Sequence, residues 1–147
     1  MKFQNFTILD EPYAIEIEAF GIIWDLHNVA DFHGFTQDIH QNTVVMNWKI
    51  DQRYALQKYP ADSFELLFIN VNYLEIAPRD KDLPHSEDNC VASISRVPSV
   101  QSMSSLTAYG IDINQVDAQT FHLLFAFQSE QRIRIGAEVA VFRLVEE

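Results

Sequence analysis

Three times within sixteen residues the chain places an acid and a histidine two positions apart: Asp25-Leu26-His27, Asp31-Phe32-His33 and Asp38-Ile39-His40. On an extended strand, residues two apart project from the same face. Each pair can therefore offer a carboxylate and an imidazole to one ion, or let the carboxylate orient the imidazole through a hydrogen bond. Mixed nitrogen and oxygen donors of this kind suit zinc, manganese or iron. His33, Asp38 and His40 are the candidate metal ligands, because the two histidines flank one predicted strand. The competing reading needs no metal: acids and histidines are ordinary solvated neighbours in an acidic chain, and the three stretches need not share one element.

Other chemistries find less support. Cys90 stands in Asp88-Asn89-Cys90-Val91, where Glu87 and Asp88 disfavour a thiolate, so it reads as a small packing residue. Ser99, Ser102, Ser104 and Ser105 cluster without the Gly-x-Ser-x-Gly turn that exposes a hydrolase nucleophile. Nothing selects one general acid/base pair from the 21 carboxylates. Trp24 with Phe20 and Phe32, or Tyr54 with Tyr59, would suit a ligand wall and suit core packing equally well. The expectation is a non-enzymatic domain that needs no cofactor.

Charge narrows the partners. The 21 acidic and 10 basic side chains give a net charge of −11, which repels nucleic-acid phosphates and anionic lipid headgroups. The same surface steers a basic protein toward it, or simply keeps the chain dissolved. The stretch Arg79-Asp80-Lys81-Asp82-Leu83-Pro84-His85-Ser86-Glu87-Asp88 reads as a charged loop, and its Asp80, Asp82, Glu87 and Asp88 are the candidate partner-binding residues.

These groups must be positioned by β-structure. Phe121, Leu123, Phe125 and Phe127 alternate with smaller or polar residues, Gln128 to Gln131 form a polar turn, and Arg132-Ile133-Arg134-Ile135 resumes alternation with the arginines outward. Gly136 then interrupts, as a bulge or turn would, before Ala137 to Val145, so three strands in a meander are expected. A hairpin is predicted around Gln41-Asn42, with Met46 and Trp48 inward. Phe64 to Ile76 changes its inward register near Asn70, and Cys90 to Val97 forms a strand with Ala92 and Ile94 inward. Trp48, Phe68, Phe125 and Val141 are expected in one core cluster. Between Tyr13 and Val29 both strand and helical spacings fit. Asp51 to Ser63 reads as a polar connection and Pro98 to Ala118 as a long loop.

With 147 residues, 48% of them apolar and only 4 Gly and 5 Pro, the whole chain, residues 1–147, reads as a single β-rich domain. The expected fold is mainly β: an antiparallel sandwich or strongly curved sheet of about seven strands with at most one or two short helices. One cysteine, no long apolar run and no leader-like N-terminus predict a cytoplasmic protein that does not meet a membrane.

The segment Trp24 to Ile50 resembles small bacterial β-rich immunity proteins that neutralise polymorphic toxins. The resemblance rests on Phe32-His33-Gly34-Phe35, then Asp38-Ile39-His40-Gln41-Asn42, then Val44-Val45-Met46-Asn47-Trp48, with the pattern of Phe121 to Glu138 also similar. Gly34 stands where such proteins usually carry Asp. The resemblance implies a rigid binding scaffold whose partner is a toxin, and acidic residues suit a basic one. Two alternatives remain: a metal- or ligand-binding domain built on His33 and His40, and a structural homo-oligomer such as a homodimer paired through a strand edge.

Overall fold

The computed structural model describes residues 1–54, 59–103 and 120–145. Strands are β1 (Lys2–Gln4), β2 (Phe6–Leu9), β3 (Glu16–Ala19), β4 (Ile22–Asp25), β5 (Ala30–Asp38), β6 (Thr43–Ile50), β7 (Ser63–Ala77), β8 (Val91–Pro98), β9 (Phe121–Phe127) and β10 (Arg132–Leu144). His85–Asn89 forms a short 3-10 turn, and no helix among the described residues is long and apolar enough to cross a membrane. Part of the polar connection after β6 and most of the long loop after β8 lie outside the described residues.

The strands form a strongly curved sheet in the order β5-β6-β7-β10-β9-β8 and a small sheet β2-β3-β4. β10 is long enough to have two partners in succession along one edge. Its Arg132–Ile135 stretch pairs antiparallel with β9, and Val139–Val141 pair in parallel with β1.

Between Tyr13 and Val29 the strand spacing prevails over the helical one. Ala19 and Ile22 face each other across a two-residue loop whose Phe20 (φ 55°) and Gly21 (φ 72°) both lie in the left-handed region. That loop geometry matches the natural twist of a hairpin and tolerates Gly at the second position without strain. The hairpin at Gln41-Asn42 forms as expected, with Val44, Met46, Trp48 and Ile50 buried. β5 stops at Asp38, so His40 and the 80% exposed Ile39 sit in the turn itself.

Gly136 marks a bulge and not a turn. β7 pairs with β10 on both sides of it, Tyr73 opposite Gly136 and Val71 opposite Ala137, leaving Asn72 as the extra residue. Arg132 to Leu144 is consequently one strand where two were expected. A one-residue slip transfers every later side chain to the opposite face. Ile133 and Ile135 point to the core before the bulge and Ala140 and Phe142 after it. Val141, expected inside, is half-buried for that reason, whereas Trp48, Phe68 and Phe125 are all in the core. The same physics corrects β8: its ladder skips Ala92 between Val91 and Ser93, so Ala92 is exposed while Ile94 is buried.

One core holds side chains from both sheets. Trp24 on β4 is 0% exposed and packs its ring 5.0 Å from both Phe64 and Phe142, fastening the small sheet over the large one. Trp48 stacks on Phe64 at 5.3 Å. Behind β9 lies a second, smaller cluster of Val97, Met103 and Leu124. β9 is thus buried on both faces, and so is the start of β10, where Arg134 is 0% exposed and not outward as expected.

Candidate functional site

Two of the three Asp-x-His repeats fasten turns, and the third lies exposed on a strand. Asp25 Oδ1 accepts from the backbone N–H groups of His27 (2.9 Å) and Asn28 (2.8 Å). Asp38 Oδ1 does the same for His40 (2.9 Å) and Gln41 (3.0 Å). Both carboxylates fasten turns through the histidine's backbone, the ordinary local use of Asp. Asp31 and His33 are exposed on β5, where the ladder skips His33 between Phe32 and Gly34. Asp38 and His40 lie about 15 Å further along an extended strand. Among the described residues no three His, Cys, Asp or Glu side chains gather where they could share an ion.

His33 instead lines a shallow depression of about 300 Å³ together with Phe32, Gly34, Asp88, Asn89 and Gln131. The fold thereby brings one proposed metal ligand beside one proposed partner-binding acid, a pairing that crosses the two sequence readings.

Cys90 does meet a histidine. Its Sγ lies 3.4 Å from His27 Nδ1 and donates to the His27 carbonyl at 3.3 Å. His27 Nδ1 is 2.7 Å from the Val91 carbonyl, which can only accept, so Nδ1 carries the proton and cannot take the thiol's. Burial, then the charges of Glu87, Asp31 and Asp25, push the Cys90 thiol up. The pair packs; it does not activate a nucleophile.

The acidic loop is built to one shape. Arg79 Nε bonds Asp88 Oδ1 at 2.7 Å while its NH2 donates to the Leu83 carbonyl at 2.6 Å, closing the loop on itself. Arg79 holds the Asp88 carboxyl below its usual range. Asp80 Oδ1 accepts from the Asp82 backbone at 2.8 Å. Three backbone bonds then fasten this region to the β9–β10 turn: Asp80 N to Ser129 O (2.7 Å), Ser129 N to Glu87 O (3.2 Å) and Gln128 N to Cys90 O (2.9 Å). Of the four acids singled out, Asp82 is exposed and Asp80, Glu87 and Asp88 are half-buried.

The constellation that pattern reading missed surrounds Arg134. Its Nε donates to His122 Nδ1 at 3.0 Å, its NH2 to the carbonyls of Pro98 (2.8 Å) and Ser99 (3.2 Å), and its NH1 to the carbonyl of Gln101. Its guanidinium also lies 4.9 Å from the centre of the Tyr73 ring, which stacks on His122 at 4.6 Å and bonds Glu75 through its hydroxyl. The Glu75 bond pushes the Tyr73 hydroxyl up. Among the described residues no carboxylate lies within ion-pair distance of Arg134. An arginine alternating with isoleucines reads as solvent-facing; what reverses the reading is the strand segment Pro98 and its continuation crossing behind β9.

His122 gives this cluster a pH signature. Burial and then the Arg134 charge lower it from 6.5 to about 4. In the unfolded chain it titrates near its ordinary value, so between pH 6.5 and 4 the unfolded state takes up a proton that the native state refuses. Stability is therefore complete above pH 6.5, falls as pH drops through that window by roughly 2–3 kcal/mol, and has no further contribution from His122 below about 4. Urea melts of wild type and His122→Gln at pH 7.5 and 4.5 check this: the variant loses that share of the pH dependence, and an identical dependence in both would contradict it.

Compared with family models, with curated proteins and with solved structures, the chain matches none of them, so the roles of these residues follow from their geometry and chemistry.

Proposed function

We propose that this chain is a non-enzymatic protein-binding domain of the immunity type, which neutralises a basic toxin through the acidic loop between β7 and β8. The observation that carries the reading is the loop's pre-organisation. Arg79 and the backbone bonds to the β9–β10 turn hold Asp80, Asp82, Glu87 and Asp88 in place before any partner arrives. A binding surface that is already ordered loses less conformational freedom on association, and its charges add speed and selectivity. The net charge of −11 and the resemblance across Trp24 to Ile50 support the same reading. The single cysteine accords with a cytoplasmic setting.

The test uses the product of the reading frame immediately upstream of this gene. That product is expected to arrest growth when expressed alone and to co-purify with this chain when the two are expressed together. Association should slow by about tenfold between low and physiological salt, because exposed charges are screened beyond roughly 8 Å. Asp82→Asn with Glu87→Gln should slow it further while changing stability by no more than about 0.5 kcal/mol per site. A complex whose association ignores both salt and this double substitution would remove the acidic loop from the interface. Sedimentation showing only copies of this chain would favour the homo-oligomer, for which β5 offers an edge with no second strand partner among the described residues.

A further inference from the structure

We propose that the hollow beside His122, where the starts of β1 and β9 flank β10, binds a small monocarboxylate. The hollow measures about 210 Å³, and its wall includes Asn72, Ser99, Thr120, Phe121, His122 and Ala137. That is roughly the space of seven water molecules, enough for an acid of six or so heavy atoms.

Arg134 carries its charge at every working pH and has no lone pair, so the 3.0 Å contact from its Nε makes His122 Nδ1 the acceptor. The neutral imidazole must then carry its hydrogen on Nε2. His122 is 8% exposed, and among the described residues nothing accepts from that Nε2–H. Nε2 lies over Gly136: a Cβ built there would stand 2.6 Å from it and 2.5 Å from Asn72 Oδ1. Only a residue without a side chain lets the imidazole and the Asn72 amide close over β10 in this way.

That donor opens onto the hollow and is free to bond an incoming oxygen. The charge behind the donor selects which oxygen. Arg134 sits one hydrogen bond away, and among the described residues its partners are neutral carbonyls and an imidazole, which places a positive potential beside the hollow. Burial first, and then the Arg134 charge, lower His122. The Asn72 amide and the Ser99 and Thr120 hydroxyls supply further hydrogen-bonding groups, while Phe121 and Ala137 offer apolar wall. A carboxylate head with a short alkyl tail fits both.

The probes are sodium acetate, propionate and butyrate, titrated against matched sodium chloride while thermal melting and the His122 side-chain nitrogen resonances are followed. The expected result is a saturable rise in melting temperature of several degrees at about a hundredfold excess over Kd, with His122 resonances shifting in parallel. Affinity should rise about fourfold per added methylene. Ala137→Leu fills the hollow from its wall and should abolish both effects; if it fails to fold, Ser99→Ala with Thr120→Val serves, and should weaken them. The proposal is overturned if no carboxylate gives a saturable change, if chloride does as well, or if the substituted hollow binds undiminished.

Discussion

Arg134→Met should lower the free energy of unfolding by about 3–5 kcal/mol, because several buried acceptors lose their donor together. Methionine keeps the apolar stem of arginine and much of its volume, so most of the loss is not a cavity effect. What disappears is the donor for four acceptors at once: His122 Nδ1 and the carbonyls of Pro98, Ser99 and Gln101. Each buried acceptor left unmade costs about 1–3 kcal/mol, less where water reaches it. Arg134→Lys should recover only part of the loss, because an ammonium is a point charge and cannot reproduce a planar fork spread over four partners. Urea unfolding measures the change, and proteolysis locates it: the segment after Pro98 should be cut faster in the variants than in wild type. An Arg134→Met protein within about 1 kcal/mol of wild type would show that the guanidinium is incidental to holding that segment.

Trp24→Ala should cost about 3–5 kcal/mol, which in a chain of this size lowers the melting temperature by roughly 10 °C or more. The ring fills the junction between the two sheets, with centroids 4.8 Å from Tyr59 and 5.0 Å from Phe64 and Phe142, and its Nε1 donates to the Ala19 carbonyl at 3.2 Å. Trp48 supplies the comparison. It is equally buried, but among the described residues its Nε1 has no hydrogen-bond partner. Replacement by Phe therefore removes a satisfied donor at position 24 and an unsatisfied one at position 48. Trp24→Phe should be the more damaging of the two by about 1 kcal/mol or more, since only it orphans a carbonyl. Thermal melts of both variants decide the order, and the reverse order would mean that the hydrogen bond at the sheet junction contributes little.

The two buried groups that these experiments probe differ in how visible they were beforehand. Trp48 announced itself through the alternation of Val44, Met46 and Trp48, since period two on a half-buried strand assigns faces with no knowledge of what lies opposite. The fold class, the Gln41-Asn42 hairpin, the polar Gln128–Gln131 turn and the irregularity near Asn70 were legible for the same reason: each depends on local backbone preference and on side-chain alternation. The charge of −11 was equally independent of folding.

Arg134 was invisible to that logic. Its face of β10 is covered by residues more than thirty positions earlier in the chain, Pro98 to Gln101, and no local period encodes a covering layer that arrives from elsewhere. Bulges erased the same kind of information. The skipped pairings at Asn72 and Ala92 moved Val141 and Ala92 off the core face, because a strand's parity is defined only relative to its partner. The Asp-x-His repeats show the remaining gap. Spacing puts a carboxylate near an imidazole, but backbone N–H groups compete for the same oxygens, and in the turns after Asp25 and Asp38 the backbone wins. Sequence alone thus determined the fold class, most of the strands after Ala30 and the net charge. The tertiary structure decided which face each strand buries, which acids remain available, and that an arginine and a histidine meet behind β9, since all three depend on contacts between residues distant in the chain.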